Sequence, residues 1–155
     1  MFIKDYLKKE CIRMDMEARD KEDLLRQLAR LLLNQCPGID EKEAVTGLLE
    51  REKVMSTGIG HGIAIPHARL SSCDKIYVGF GRVHPGIDYG AVDNNPVTLV
   101  FLIFFPKDEV NLQLRFLARI SRILNQESLR QQLSTAETPE KVISVLGEFE
   151  ESHFH

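Results

Sequence analysis

The chain has 155 residues, 43% of them hydrophobic, which suits one domain with a full core and exceeds the size range that needs disulfide or metal staples. A formal net charge of −3 and a pI near 6.0 exclude the basic footprint of a dedicated nucleic-acid binder. Cys11, Cys36 and Cys73 are odd in number and far apart, so neither a disulfide framework nor a zinc site is suggested, and a reducing cytoplasm fits best. Charge interrupts the N-terminus at Lys4 and Asp5, unlike a signal peptide, and the longest strongly apolar run, Val97 to Phe105, falls far short of the ~20 residues of a membrane span.

Cys11 to Glu17 predicts a short strand. Asp20 then caps a helix in which Leu24, Leu25, Leu28, Leu31 and Leu32 repeat at helical spacing, stopping near Cys36-Pro37-Gly38. Asp40 with Glu43 resembles a capping box and opens a second helix, which carries Ala44, Val45, Leu48 and Leu49 into Arg51-Glu52. Gly58, Gly60 and Gly62 follow in a loop. Glycine tolerates positive φ and lets successive N–H groups point at one anion, so these three are candidate phosphate-binding residues. Ile63 to Ile65 is a short extended run, and Pro66 holds the chain rigid just before His67.

Ile76 to Val83 alternates apolar and small residues, and Pro85 to Pro96 is rich in turn formers and reads as a loop. Val97 to Phe105 is almost wholly apolar, the pattern of a central strand covered on both faces. From Asp108 the pattern turns helical, with Leu112, Phe116, Leu117, Ile120, Ile123 and Leu124 on one stripe. Two shorter helices follow, Ser128 to Leu133 and Pro139 to Phe149, the latter capped by Thr138 with proline at its first position. Interleaved strands and helices give the class α/β, a single mixed sheet flanked by helices. One domain is expected over residues 1–150, with 151–155 as a frayed tail.

Arg51-Glu52, then Ser56-Thr57-Gly58-Ile59-Gly60, then Gly62-Ile63-Ala64-Ile65-Pro66-His67 together resemble the signature of the enzyme IIA domains of the fructose–mannitol class in the bacterial phosphoenolpyruvate-dependent phosphotransferase system. Among these domains the chain looks most like the stand-alone nitrogen-regulatory IIA proteins. The likeness extends through the Asp93-Asn94-Asn95-Pro96-Val97 step to the long late helix. It implies that His67 is phosphorylated by an HPr-type phosphocarrier protein, that Arg51 stabilises the phosphate, and that no metal or organic cofactor takes part. Elementary chemistry agrees: a neutral imidazole nitrogen is a competent nucleophile near pH 7, and phosphoryl transfer asks mainly for positioning and charge stabilisation.

The sequence departs from that family at one important place. Where the family carries a second histidine early in the late helix, this chain has Gln113, four residues before Leu117. A glutamine can donate a hydrogen bond but carries neither proton nor charge. His61, where relatives often have a small polar residue, is a candidate support for the missing histidine. Arg51 also admits a plain reading as a helix C-terminal arginine meeting the macrodipole. A metal pair of His61 and His67 lacks further ligands at suitable spacing. Arg115, Arg119 and Arg122 form a basic stripe on the late helix, solvated or facing an acidic partner.

Three functions are compatible with these residues. One is a cytoplasmic IIA protein whose phosphorylation state at His67 regulates a transporter or kinase. Another is a relay handing phosphate to a IIB domain for fructose- or mannitol-type sugar uptake. The last is a IIA-like binding module that has lost turnover, as Gln113 would permit.

Overall fold

A computed structural model describes residues 2–154. After a single 3-10 turn at Ile3–Asp5, the elements in chain order are β1 (Leu7–Met16), α1 (Lys21–Leu33), α2 (Glu41–Val54), β2 (Gly58–Gly60), β3 (Ile63–Ala64), β4 (His67–Leu70), β5 (Tyr77–Ile87), β6 (Val97–Pro106), α3 (Val110–Leu124), α4 (Glu127–Thr135) and α5 (Pro139–His153). The sheet order is β1-β5-β6-β3-β2, and β4 also pairs with β6, beyond the end of β3. Pairing is mixed: β1 with β5, and β3 and β4 with β6, are parallel, whereas β5 with β6 and β2 with β3 are antiparallel.

β6 is the central strand that its unbroken apolar run predicts, buried from Leu99 to Phe105. Successive side chains point to opposite faces. Leu99, Phe101, Ile103 and Phe105 join one core with Phe116, Ile120, Leu129, Val142 and Leu146 of α3, α4 and α5. Val100, Leu102 and Phe104 join the other with Leu24, Leu28, Ala44 and Leu48 of α1 and α2. The sheet is therefore sandwiched, two helices on one face and three on the other. Among the described residues no helix is long and apolar enough to cross a membrane.

Asp20, Asp40 and Thr138 cap their helices as expected, accepting from the backbone N–H of Asp23, Glu43 and Lys141. The reciprocal half of the capping box at α2 does not form. Both Glu43 carboxylate oxygens accept instead from the backbone and hydroxyl groups of Ser71 and Ser72, which hold its carboxyl down at about 2. The start of α2 is thereby tied to the end of β4. Gly47 reinforces the tie, since a Cβ there would lie 3.3 Å from Ala68 Cβ and from Leu70 Cδ2.

Several boundaries differ from the sequence reading. β1 begins at Leu7, because an edge strand tolerates the exposed Lys8, Lys9 and Glu10 that break the apolar pattern. β5 continues through His84-Pro85-Gly86 to Ile87, where a loop is expected; a register shift between Arg82 and Ile87 accommodates the proline. Gly58–Gly60 forms a strand, β2, where a loop is expected, and only His61 and Gly62 make a turn. α5 continues through Glu151, Ser152 and His153, where a tail is expected; buried Glu150 accepts from the backbone N–H groups of Ile3 and Lys4 and from Arg119 Nε, which anchors that last turn. His155 lies outside the described residues.

Candidate functional site

β4 carries His67 as its first residue and pairs only with β6 among the described strands, so its other edge is open. Around that edge α2 and α3 leave a depression of about 560 Å³ lined by Gly47, Arg51, His67, Ala68, Arg69, Lys107, Asp108, Val110 and Gln113. Three residues picked out by sequence therefore meet there: His67, Arg51 from the last turn of α2, and Gln113 from the first turn of α3.

His67 is only 7% exposed, and its ring stands edge-on to Phe105 with centroids 6.3 Å apart. Nδ1 lies 2.8 Å from the Ile65 carbonyl oxygen. A carbonyl can only accept, so Nδ1 carries the proton and the Nε2 lone pair is left for chemistry. Burial pushes the imidazole below the ordinary histidine value; the Ile65 hydrogen bond opposes this, and the nearby Arg51 charge adds to it. The ring is thus a neutral nucleophile at neutral pH, fixed in one tautomer by the main chain two residues before it.

Arg51 combines its two readings. Its Nη1 donates to the Met55 carbonyl at 2.8 Å, the plain role of an arginine at a helix C-terminus, while the same side chain lines the depression. The neighbouring Glu52 holds the turn that follows. Its carboxylate accepts from the Thr57 backbone N–H at 3.0 Å and from Thr57 Oγ1 at 2.5 Å, and pairs with Lys21 Nζ at 3.4 Å. Tyr89 completes this buried network, its hydroxyl 2.9 Å from Thr57 Oγ1 and its ring 4.2 Å beneath Lys21 Nζ; burial and the Glu52 charge push the phenol pKa upward. The sequence pattern does not reveal this Glu52 network, although Glu52 and Thr57 both lie within the motif.

Gln113 Oε1 is buried without a hydrogen-bond partner among the described residues. The rest of the side chain is half-buried, and an unpartnered oxygen on a depression that also contains a nucleophile marks a group available to a ligand. α3 begins beside it at Val110 with no side-chain cap, so its first-turn N–H groups carry the positive end of the helix dipole towards the same place.

Two sets of expected site residues lie away from His67. Gly58, Gly60 and Gly62 do not line the depression; they build the β2–β3 hairpin. Gly58 is required by close packing, since a Cβ there would fall 2.8 Å from Ala91 Cβ, while Gly60 and Gly62 take φ of 98° and 79° at the turn. Nor does His61 stand by His67. It occupies the hairpin tip at φ 58°, its N–H donating to Asp93 Oδ2, and its side chain borders Glu127, Arg130 and Gln131 of α4. The basic stripe on α3 is partly absorbed within the molecule: Arg119 pairs with Glu150 and stacks on Phe154, which Arg122 also meets. Among the described residues no cluster of His, Cys, Asp and Glu suits a metal.

Residues 5–148 match the family model described as the phosphoenolpyruvate-dependent sugar phosphotransferase system, EIIA 2. The chain is 34% identical over 96% of its length to the PTS system fructose-specific EIIABC component of Bacillus subtilis, of which it spans only 23%. It is also 34% identical to the nitrogen regulatory protein of Bradyrhizobium diazoefficiens, covering 95% of both chains. In structure it is similar to the nitrogen regulatory protein IIA-Ntr of Neisseria meningitidis, with a TM-score of 0.87 at 30% identity, over 93% of this chain and 98% of that one. The buried histidine on an open strand edge, the arginine at the end of α2 and the sandwiched mixed sheet are thus set in a chain that belongs to the EIIA 2 family of the phosphotransferase system.

Proposed function

We propose that this chain, acting through residues 1–150 as one cytoplasmic IIA unit, accepts a phosphoryl group on His67 from an HPr-type carrier and that phosphorylated His67 regulates a partner transporter or kinase. The observation that carries this reading is the hydrogen bond from His67 Nδ1 to the Ile65 carbonyl, which directs the Nε2 lone pair to the depression where Arg51 lies. In the transfer, Nε2 bonds to phosphorus as the P–N bond of the carrier's phosphohistidine breaks and its electron pair returns to the donor ring. The Ile65 carbonyl holds the Nδ1 proton throughout and meets the charge that develops on the imidazole. Arg51 and the uncapped start of α3 face the charge on the phosphoryl oxygens.

Gln113 favours signal over relay. With its terminal torsion turned by half a rotation, the carboxamide presents Nε2 donors to a phosphoryl oxygen, yet it cannot supply a proton or charge to drive the group onward. Similarity to the fructose-specific EIIABC component supports a second reading, in which the phosphate passes to a IIB domain.

Incubation with phosphoenolpyruvate, enzyme I and an HPr-type carrier tests the proposal. Wild type should gain an acid-labile phosphate and His67→Ala should not. If both stay unlabelled, the phosphoacceptor reading fails and a binding module remains. Adding a IIB domain separates the two carrier readings, since rapid loss of label to it favours relay.

A further inference from the structure

Arg69 lies two residues beyond His67 on β4, and alternate residues of a strand share a face. Both line the depression, and their register partners on β6, Ile103 and Phe105, point into the same core. The strand therefore presents a guanidinium on the same side as the nucleophile, one pleat repeat away.

Unlike Arg51, the other arginine lining this site, Arg69 is uncommitted. Arg51 donates to Met55 O, whereas Arg69 makes no ion pair or side-chain hydrogen bond among the described residues. It is exposed, while His67 beside it is buried. Its charge nevertheless reaches the ring, because Arg69 joins Arg51 in holding the imidazole below its ordinary value. The end of β4 that carries it is rigid, fixed by Glu43 to Ser71 and Ser72 and by the Lys107 N–H to the Leu70 carbonyl at 3.1 Å.

We propose that Arg69 is a second phosphate-binding residue, whose guanidinium folds over the phosphoryl group on His67 and supplies from β4 the positive charge that Gln113 cannot supply from α3. A planar fork of N–H donors suits phosphate oxygens, and an unpaired arginine gives up no existing contact to reach them. Among the described residues Asp108 is the one carboxylate lining the depression, outnumbered by Arg51, Arg69 and Lys107, so the site favours an anion. The proposal rests on His67 as the phosphoacceptor, yet it makes a prediction of its own about anion affinity.

Inorganic phosphate titrated into the unphosphorylated protein, followed by the NMR signals of the His67 ring, reads the site without any transfer. Wild type should show a saturable shift, Arg69→Gln should bind about tenfold more weakly or worse, and Arg69→Lys should fall between. In the carrier-dependent assay Arg69→Gln should slow labelling by a similar factor and shorten the lifetime of the phosphohistidine. Equal phosphate affinity in wild type and Arg69→Gln, or no His67 response in wild type, overturns the inference. Slower labelling with unchanged phosphate affinity also overturns it, since Arg69 would then serve carrier docking. Arg69-dependent phosphate binding without labelling of wild type keeps Arg69 as a phosphate-binding residue and removes the phosphoacceptor reading instead.

Discussion

His61 and His67 belong to one sequence motif, yet the fold gives them opposite fates. His67 is buried at the start of β4, locked into one tautomer by the Ile65 carbonyl and faced by Arg51. His61 is exposed at a hairpin tip, held there by its backbone in the left-handed region and by the Asp93 carboxylate on its N–H. The hairpin is a structural piece built from glycines; the cleft is a chemical piece built from strand and helix ends. Closeness in sequence says little about which histidine reacts, because His61 sits on the two-residue turn of the hairpin while His67 lies beyond it, on β4.

The largest contrast should come from Arg51. Arg51→Gln should lower the rate of His67 labelling by about a hundredfold, the scale for removing one preorganised donor from a developing charge. The same change should raise the His67 pKa, as the nearby positive charge is lost. A ring titration by NMR checks the second point independently of activity.

On the hairpin side the effect should be on stability. Gly58→Ala forces a methyl into Ala91 and should cost about 1–3 kcal/mol in chemical denaturation. The remaining folded protein should label at close to the wild-type rate; a loss of rate exceeding the loss of folded fraction would place the hairpin in the site after all.

The pH profile should sharpen the contrast further. His67 is depressed when folded, so the unfolded chain binds its proton first as pH falls. Its contribution to stability is fully present above about 6.5 and is lost as the pH drops through the folded value. The neutral nucleophile persists over the same window, so labelling by the carrier should stay flat from pH 8 to about 6.5. A rate already falling at pH 7 would mean that His67 titrates as an exposed histidine. The smallest effect is expected for His61→Asn: asparagine accepts positive φ, and both labelling and stability should change little, within about 0.5 kcal/mol for the latter.

Much of this fold was legible in the chain. The unbroken run of β6, the leucine spacing of α1 and the caps Asp20, Asp40 and Thr138 each follow from local physics that tertiary contacts do not override. The extents of β1 and β5 were less so, because an edge position excuses the charges of β1 and a register shift excuses Pro85. In the site, His67, Arg51 and Gln113 were found by resemblance and converge in space. The glycines are ambiguous in the sequence because conformational freedom serves a tight hairpin as readily as an anion cradle. Arg69 was readable in principle: once His67 is placed on a strand, period two puts Arg69 on its face. The Glu52 network is only half readable: Thr57 lies five residues on in the motif, but Lys21 and Tyr89 come from distant segments.

The central claim is that the fold makes one particular nitrogen of one histidine the nucleophile. The most direct test is NMR of the phosphorylated chain, with phosphorus-to-ring-proton couplings used to identify the modified atom. The account predicts phosphate on Nε2 of His67 with Nδ1 still protonated against the Ile65 carbonyl; phosphate on Nδ1 of His67, or on His61, would contradict it.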